Sequence, residues 1–130
     1  MRYLTDEDII ELNKIVIKRY SPKEPVKVLD RNALNMIVEN MKQEVYGKEL
    51  YPKLEDKGAF LLYHLIKKHI FANGNKRTAY LSLKYFLSLN DYRLILDKRD
   101  AVDYIVDIAI RPYNLEEISL WIKNNMNKIS

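Results

Sequence analysis

Apolar residues recur at helical spacing along much of the chain, and the interruptions between these stretches define the elements. Thr5-Asp6-Glu7-Asp8 reads as an N-cap followed by acids in a first turn. Ile9, Leu12, Val16 and Tyr20 then follow at helical spacing, so helix one is expected from Asp6 to Tyr20. Ser21-Pro22-Lys23-Glu24-Pro25 breaks it. Asp30 is placed to cap a second helix, in which Leu34, Ile37, Val38 and Met41 form an i, i+3, i+4, i+7 stripe. Glu44 to Lys53 lacks the helical period, carries Gly47 and Pro52, and reads as a loop or short hairpin.

Helix three is expected from Glu55 to His69 and helix four from Lys76 to Leu89. Asn90-Asp91 then turns the chain into a short extended segment, Tyr92 to Leu96. Asp97 caps helix five, with Val102, Ile105, Val106 and Ala109 as its apolar stripe. Asn114-Leu115-Glu116-Glu117 reads as a capping box for helix six, with Leu115, Ile118, Ile122 and Met126 inward. Nothing repeats and no linker is evident. The expected architecture is an all-α bundle of about six helices with a short β-hairpin-like element, as one domain over residues 1–130.

Composition narrows the chemistry. The chain has 48% hydrophobic residues and only 3 Gly and 4 Pro, which suits a packed core and excludes disorder or collagen-like structure. It has no cysteine, so disulfides, thiol catalysis and cysteine-ligated zinc are excluded. The N-terminus has no apolar signal core and nowhere do 18 apolar residues run together, so a cytoplasmic protein with no membrane partner is expected. Net charge is +4. Ile66 to Arg99 holds eight basic residues against Asp91 and Asp97, an excess of +6 that leaves the remainder at −2. A basic segment on a mildly acidic body points to a local anion site or interface.

The break between helices three and four, His69-Ile70-Phe71-Ala72-Asn73-Gly74-Asn75-Lys76-Arg77-Thr78, carries the candidate chemistry. Gly74 is suited to a left-handed turn and Asn75 to capping helix four. Lys76 and Arg77 fall in the first turn, where the macrodipole repels cations. A bound anion relieves that conflict, because free backbone N–H groups, the dipole and both side chains converge on one phosphate-sized spot. His69, beside that spot, is a candidate general base. His64 lies five residues earlier, about 140° around a helix, so the pair does not chelate one metal from one face. Phe71 reads as a core plug that anchors the loop. A helix-turn-helix reading of helices three and four is opposed by Tyr80, Leu81, Leu83, Tyr85, Phe86 and Leu87, which leave few polar side chains suited to bases, so no direct DNA binding is expected.

The ten residues from His69 to Thr78 resemble the signature of Fic-domain proteins, and the Lys76-Arg77-Thr78 ending is similar to their death-on-curing (Doc) branch. The resemblance extends to Leu29-Asp30-Arg31, to Tyr46-Gly47-Lys48-Glu49-Leu50-Tyr51-Pro52, to Asn90-Asp91-Tyr92-Arg93-Leu94 and to Trp121-Ile122. It implies a Fic-fold helical bundle and the toxin of a toxin–antitoxin pair. Most Fic proteins transfer AMP and have glycine at the position of Lys76. The Doc branch has lysine there and moves the γ-phosphate of ATP to a threonine of elongation factor Tu, which stalls translation.

By the same resemblance, His69 is the base. Gly74, Asn75, Lys76 and Arg77 hold the ATP phosphates, and Tyr46, Gly47, Lys48, Glu49 and Leu50 belong to a flap that positions the target. Asn73 stands where the family has an acidic ligand for Mg2+. An amide is a poorer ligand for a hard cation, which leaves open a slower kinase, a changed transfer such as AMP transfer, or a weakened protein that partners its antitoxin. Glu44 or Glu49 in the flap are possible substitutes. A self-inhibitory helix is not evident, since Asn35-Met36-Ile37-Val38-Glu39-Asn40 begins with Asn and lies on a helix with a core stripe. The resemblance therefore implies a Phd-like antitoxin that supplies the inhibitory helix in trans.

Overall fold

The computed structural model describes residues 1–129. Six helices and four short strands follow in the order α1 (Asp6–Tyr20), α2 (Arg31–Asn40), β1 (Glu44–Val45), β2 (Lys48–Glu49), α3 (Leu54–Lys67), α4 (Asn75–Leu89), β3 (Tyr92–Leu94), α5 (Lys98–Ile110), α6 (Leu115–Asn125) and β4 (Met126–Lys128). No helix among the described residues is long and apolar enough to cross a membrane.

Helix α3 runs through the middle and packs against α2, α4, α5 and α6. Its buried residues, from Leu54 and Lys57 through Ala59, Leu61, Leu62 and Leu65, surround the axis, as expected of a helix enclosed by others. Local capping explains the starts of the outer helices. Thr5 and Asp8 form a reciprocal capping box on α1, Asp30 accepts from the Ala33 N–H on α2, Asp97 from the Arg99 N–H on α5, and Asn114 from the Glu117 N–H on α6.

The expected elements hold, and the residues they turn inward differ in three of them. In α5 the inward face is Ala101, Ile105 and Ile108, whereas Val102 and Val106 are 50% and 43% exposed. Helix α5 is apolar on more than one side, and its neighbours choose which side is covered. Met126 is not the last inward residue of α6. It opens β4, which pairs antiparallel with β3 in the register Tyr92↔Lys128, Arg93↔Asn127, Leu94↔Met126. Tyr20, on the expected stripe of α1, is exposed, while Asn13 shares the buried face with Ile9, Val16 and Ile17.

The hairpin between α2 and α3 is two residues per strand, with Glu44 opposite Glu49 and Val45 opposite Lys48. Tyr46 and Gly47 both have positive φ, 52° and 77°, the signature of a type I′ turn whose twist matches the strands. Residues 42–50 are all exposed, and Tyr46 at the apex is fully so.

Candidate active site

The loop from Lys68 to Gly74 is held on two sides by hydrogen bonds to other elements. Helix α3 ends at Lys67, so His69 lies just beyond the helix, and its ring is exposed. Ile70 and Phe71 turn inward and are fully buried, which pins the loop to the core. On one side the loop pairs with the extended segment before α2. Leu29 N–H donates to the Ile70 carbonyl at 2.7 Å, Ala72 N–H to the Lys27 carbonyl at 3.0 Å, and Val28 bridges Phe71. On the other side Asn13 reaches across from α1, and its Nδ2 donates to the Asn73 carbonyl at 2.9 Å and to Thr78 Oγ1 at 3.0 Å.

Gly74 is the N-cap of α4 and adopts φ +75°. A Cβ there would lie 3.0 Å from Val16 Cγ1 and 3.1 Å from Ile17 Cδ1, so both the backbone conformation and the approach of α1 require glycine. Asn75 does not cap α4. It is the first residue of the helix, and its amide folds back to clamp the loop. Its Oδ1 accepts from the Phe71 N–H at 3.0 Å and its Nδ2 donates to the Phe71 carbonyl at 2.8 Å. That pair of bonds orients the amide, and the same Nδ2 lies 3.5 Å from His69 Nδ1, at the outer limit of a hydrogen bond.

With no side-chain cap on α4, the N–H groups of its first turn have no partner from a cap, and Lys76 and Arg77 belong to that same turn. Neither cation is in an ion pair among the described residues. The Arg77 guanidinium lies over the Tyr20 ring, 4.1 Å from its centroid, which turns it toward the end of α1. The first turn of α4 therefore combines free donors, a positive dipole and two uncompensated cations, an arrangement that favours a phosphate.

Asn73 sits in the loop with its Nδ2 3.4 Å from the Pro25 carbonyl. No carboxylate joins it, and no group of three or more metal-binding side chains occurs among the described residues. One amide oxygen does not fit the site of a protein-held Mg2+, which takes carboxylates together with phosphates. Glu49 is committed elsewhere. Its carboxylate lies 3.1 Å from the Lys57 ammonium, so it is not a free substitute ligand. His64 is half-buried between Phe60 and Tyr63, with ring centroids at 4.3 and 5.1 Å. Burial lowers its pKa below 6.5, and the nearby Lys68 charge lowers it further.

Two buried polar side chains that hold the surroundings of the site escape a reading of motifs. Lys57, on α3, is fully buried, and its ammonium donates to the Met41 carbonyl at 3.2 Å, to the Tyr51 carbonyl and to Glu49. It thus ties the end of α2 and the root of the flap to the central helix. Asn13 does the same for the loop. Both stand at helical spacing within apolar stripes, Lys57 between Leu54 and Leu61 and Asn13 between Ile9 and Val16, and that placement is the signal available in sequence. Among the described residues no hydrogen bond joins the flap to the His69 loop.

Residues 3–87 match the model of the Fic/DOC family. The chain is also 34% identical over 119 residues to a protein of Mycolicibacterium smegmatis named Toxin Doc, a match that covers 90% of this chain and 88% of that relative. The matched segment contains the clamped loop, the bare first turn of α4 and the flap. On that coverage, the chain belongs to the Fic/DOC family.

Proposed function

We propose that this protein is a Doc-like cytoplasmic toxin that transfers the γ-phosphate of ATP to a threonine hydroxyl of elongation factor Tu. The carrying observation is the uncapped first turn of α4, with Lys76 and Arg77 unpaired and an exposed His69 beside it. In this reading His69 takes the proton of the acceptor hydroxyl. The hydroxyl oxygen bonds to the γ-phosphorus, the bond from that phosphorus to the bridging oxygen breaks, and ADP leaves with the electron pair. Charge on the transferring group is met by the α4 N–H groups, Lys76 and Arg77, so the protein's work is placement and electrostatics rather than covalent chemistry. The flap, Tyr46 to Leu50, offers exposed backbone and the apolar side chains of Val45, Tyr46 and Leu50 to an extended target segment.

Control by an antitoxin is supported by the groove between α1, α4 and α5. It encloses about 430 Å³, with Ile15, Tyr20 and Leu96 on its walls and Arg19, Lys84 and Lys98 around it. No acidic residue lines it, so an amphipathic acidic helix of a Phd-like antitoxin suits it. The test is transfer to purified elongation factor Tu from γ-labelled and α-labelled ATP in parallel, with His69→Ala as control. Label from the γ position, lost in His69→Ala, is expected. Label from the α position alone makes the enzyme an AMP transferase, and transfer unaltered in His69→Ala removes the base.

A further inference from the structure

The peptides of the His69 loop are tethered from different elements, and the one next to α4 depends on a single side chain. The Phe71 N–H and carbonyl are bound by the Asn75 amide, and the Ala72 N–H by the Lys27 carbonyl. The Asn73–Gly74 peptide has one hydrogen bond among the described residues, the 2.9 Å bond from Asn13 Nδ2 to the Asn73 carbonyl. Asn13 is only 1% exposed, and its Nδ2 also donates to Thr78 Oγ1 at 3.0 Å, so one amide spans from the loop to the first turn of α4. Its Oδ1 is buried and has no partner among the described residues. Turning the amide over would set Oδ1 against the Asn73 carbonyl, acceptor on acceptor. The donor face is therefore fixed, and the fold keeps it there although an oxygen is left unsatisfied.

A trans peptide carries its C=O and its N–H on opposite sides, and no peptide among the described residues is cis. With the Asn73 carbonyl turned to Asn13 on α1, the Gly74 N–H points the other way, away from α1, and it has no acceptor among the described residues. It joins the uncapped N–H groups of α4 as a further donor. The local backbone does not dictate that orientation. Gly74 has φ 75° and ψ 22°, the values of the third residue of a type II turn, and a type I turn joins the same ends with the central peptide turned over. Glycine adopts either sign of φ, so the residue itself does not choose between them. The reversed peptide would present a carbonyl oxygen to a bound anion in place of an N–H.

We infer that Asn13 is a positioning residue for phosphate binding: from α1 it holds the Asn73–Gly74 peptide with its carbonyl turned away from the anion and its N–H turned toward it; this rests on the phosphate reading above. Asn13 touches no phosphate itself. Lys76 and Arg77 supply charge, whereas Asn13 sets the polarity of the peptide between loop and helix.

The experiment reads that peptide directly. The three glycines follow Tyr46, Lys57 and Asn73, so labelling asparagine carbonyls with 13C and glycine nitrogens with 15N gives one NMR correlation, that of Asn73–Gly74. Inorganic tripolyphosphate is titrated into the whole chain, and its affinity is measured by calorimetry. Asn13→Leu keeps the volume and removes the donor. Thr78→Val removes the other partner of the same amide and leaves the bond to Asn73. Thermal melting checks that each variant folds, and Asn13→Ala, which adds no bulk, replaces a leucine variant that does not. The expected result is that the Gly74 amide proton moves downfield as the unaltered protein binds. Asn13→Leu then weakens tripolyphosphate about tenfold or more, and Thr78→Val less than about twofold, since one hydrogen bond to a charged group is at stake. A Gly74 proton unmoved by bound tripolyphosphate overturns the inference, as do equal losses in the two variants. Binding lost in Lys76→Ala/Arg77→Ala but kept in Asn13→Leu removes the role of Asn13 and leaves the phosphate site standing. Absence of binding by the unaltered protein overturns the phosphate reading together with it.

Discussion

Replacing Lys57 by methionine removes a fully buried ammonium and keeps a side chain of similar length, so the loss isolates the polar contacts. Three acceptors lose their donor: the Met41 carbonyl, the Tyr51 carbonyl and the Glu49 carboxylate. Glu49 is 41% exposed and recovers water, so it contributes little. The contact to the Met41 carbonyl is buried and that to the Tyr51 carbonyl part-buried, and each such acceptor left unsatisfied costs about 1–2 kcal/mol. Methionine offsets part of this, because it needs no desolvation. The carbonyl cost outweighs that offset, and the expected loss is about 1–3 kcal/mol, a large part of the 5–15 kcal/mol of a typical domain.

For a chain of this size that lowers the melting temperature by roughly 5–10 °C. Glu49→Gln keeps both carbonyls paired and is expected to cost less than about 1 kcal/mol. Scanning calorimetry and urea titration of the two variants provide the assay. A shift below about 2 °C for Lys57→Met, or equal losses in both variants, refutes the view that the ammonium binds the flap root to α3 through the carbonyls.

Gly74→Ala is expected to cost about 2 kcal/mol or more, since the left-handed backbone alone costs about 1–2 kcal/mol and the new methyl meets Val16 and Ile17. Gly47→Ala has the same kind of φ and nothing within 4 Å, so it is expected to cost only the backbone share. Equal urea midpoints for the two would refute the packing argument. Asn75→Leu removes both bonds to Phe71 and is expected to lower stability by about 1–2 kcal/mol and to abolish transfer, whereas normal transfer by a folded Asn75→Leu protein would show the clamp to be dispensable.

Because the folded pKa of His64 is lowered by burial, the unfolded chain takes up that proton first as pH falls. Its contribution to stability is present above about pH 6.5 and declines below it, and His64→Phe is expected to flatten that decline in urea midpoints measured between about pH 7 and 5. Asn73→Asp is expected to raise transfer if a carboxylate improves the handling of Mg2+ on the nucleotide, and unchanged rates at limiting magnesium would refute that.

The 3.6-residue period, the caps at Thr5, Asp30, Asp97 and Asn114, and the breakers after Tyr20 and around Gly47 are local properties, so they were enough to set the helices and their order. The loop was legible for a similar reason. Cations at a helix start conflict with local preference, and such conflicts mark places where something outside the segment, such as a ligand, completes the structure.

Tertiary structure decided what local pattern leaves degenerate. Apolar residues surround much of α5, so its neighbours chose Ala101, Ile105 and Ile108 for the core and left Val102 and Val106 beside α4. Asn13 and Lys57 share the spacing of apolar stripes, but their acceptors, at Asn73 and Met41, lie sixty and sixteen residues away and are supplied only by the fold. Asn75 reads as a helix cap, and only the position of Phe71 in the folded loop turns its amide into a clamp instead. The pairing of β3 with β4 joins segments whose residues say nothing about each other. A helical period reports which side chains share a face; only the assembled chain determines what that face meets, because burial and hydrogen-bond satisfaction are properties of contacts between segments distant in sequence.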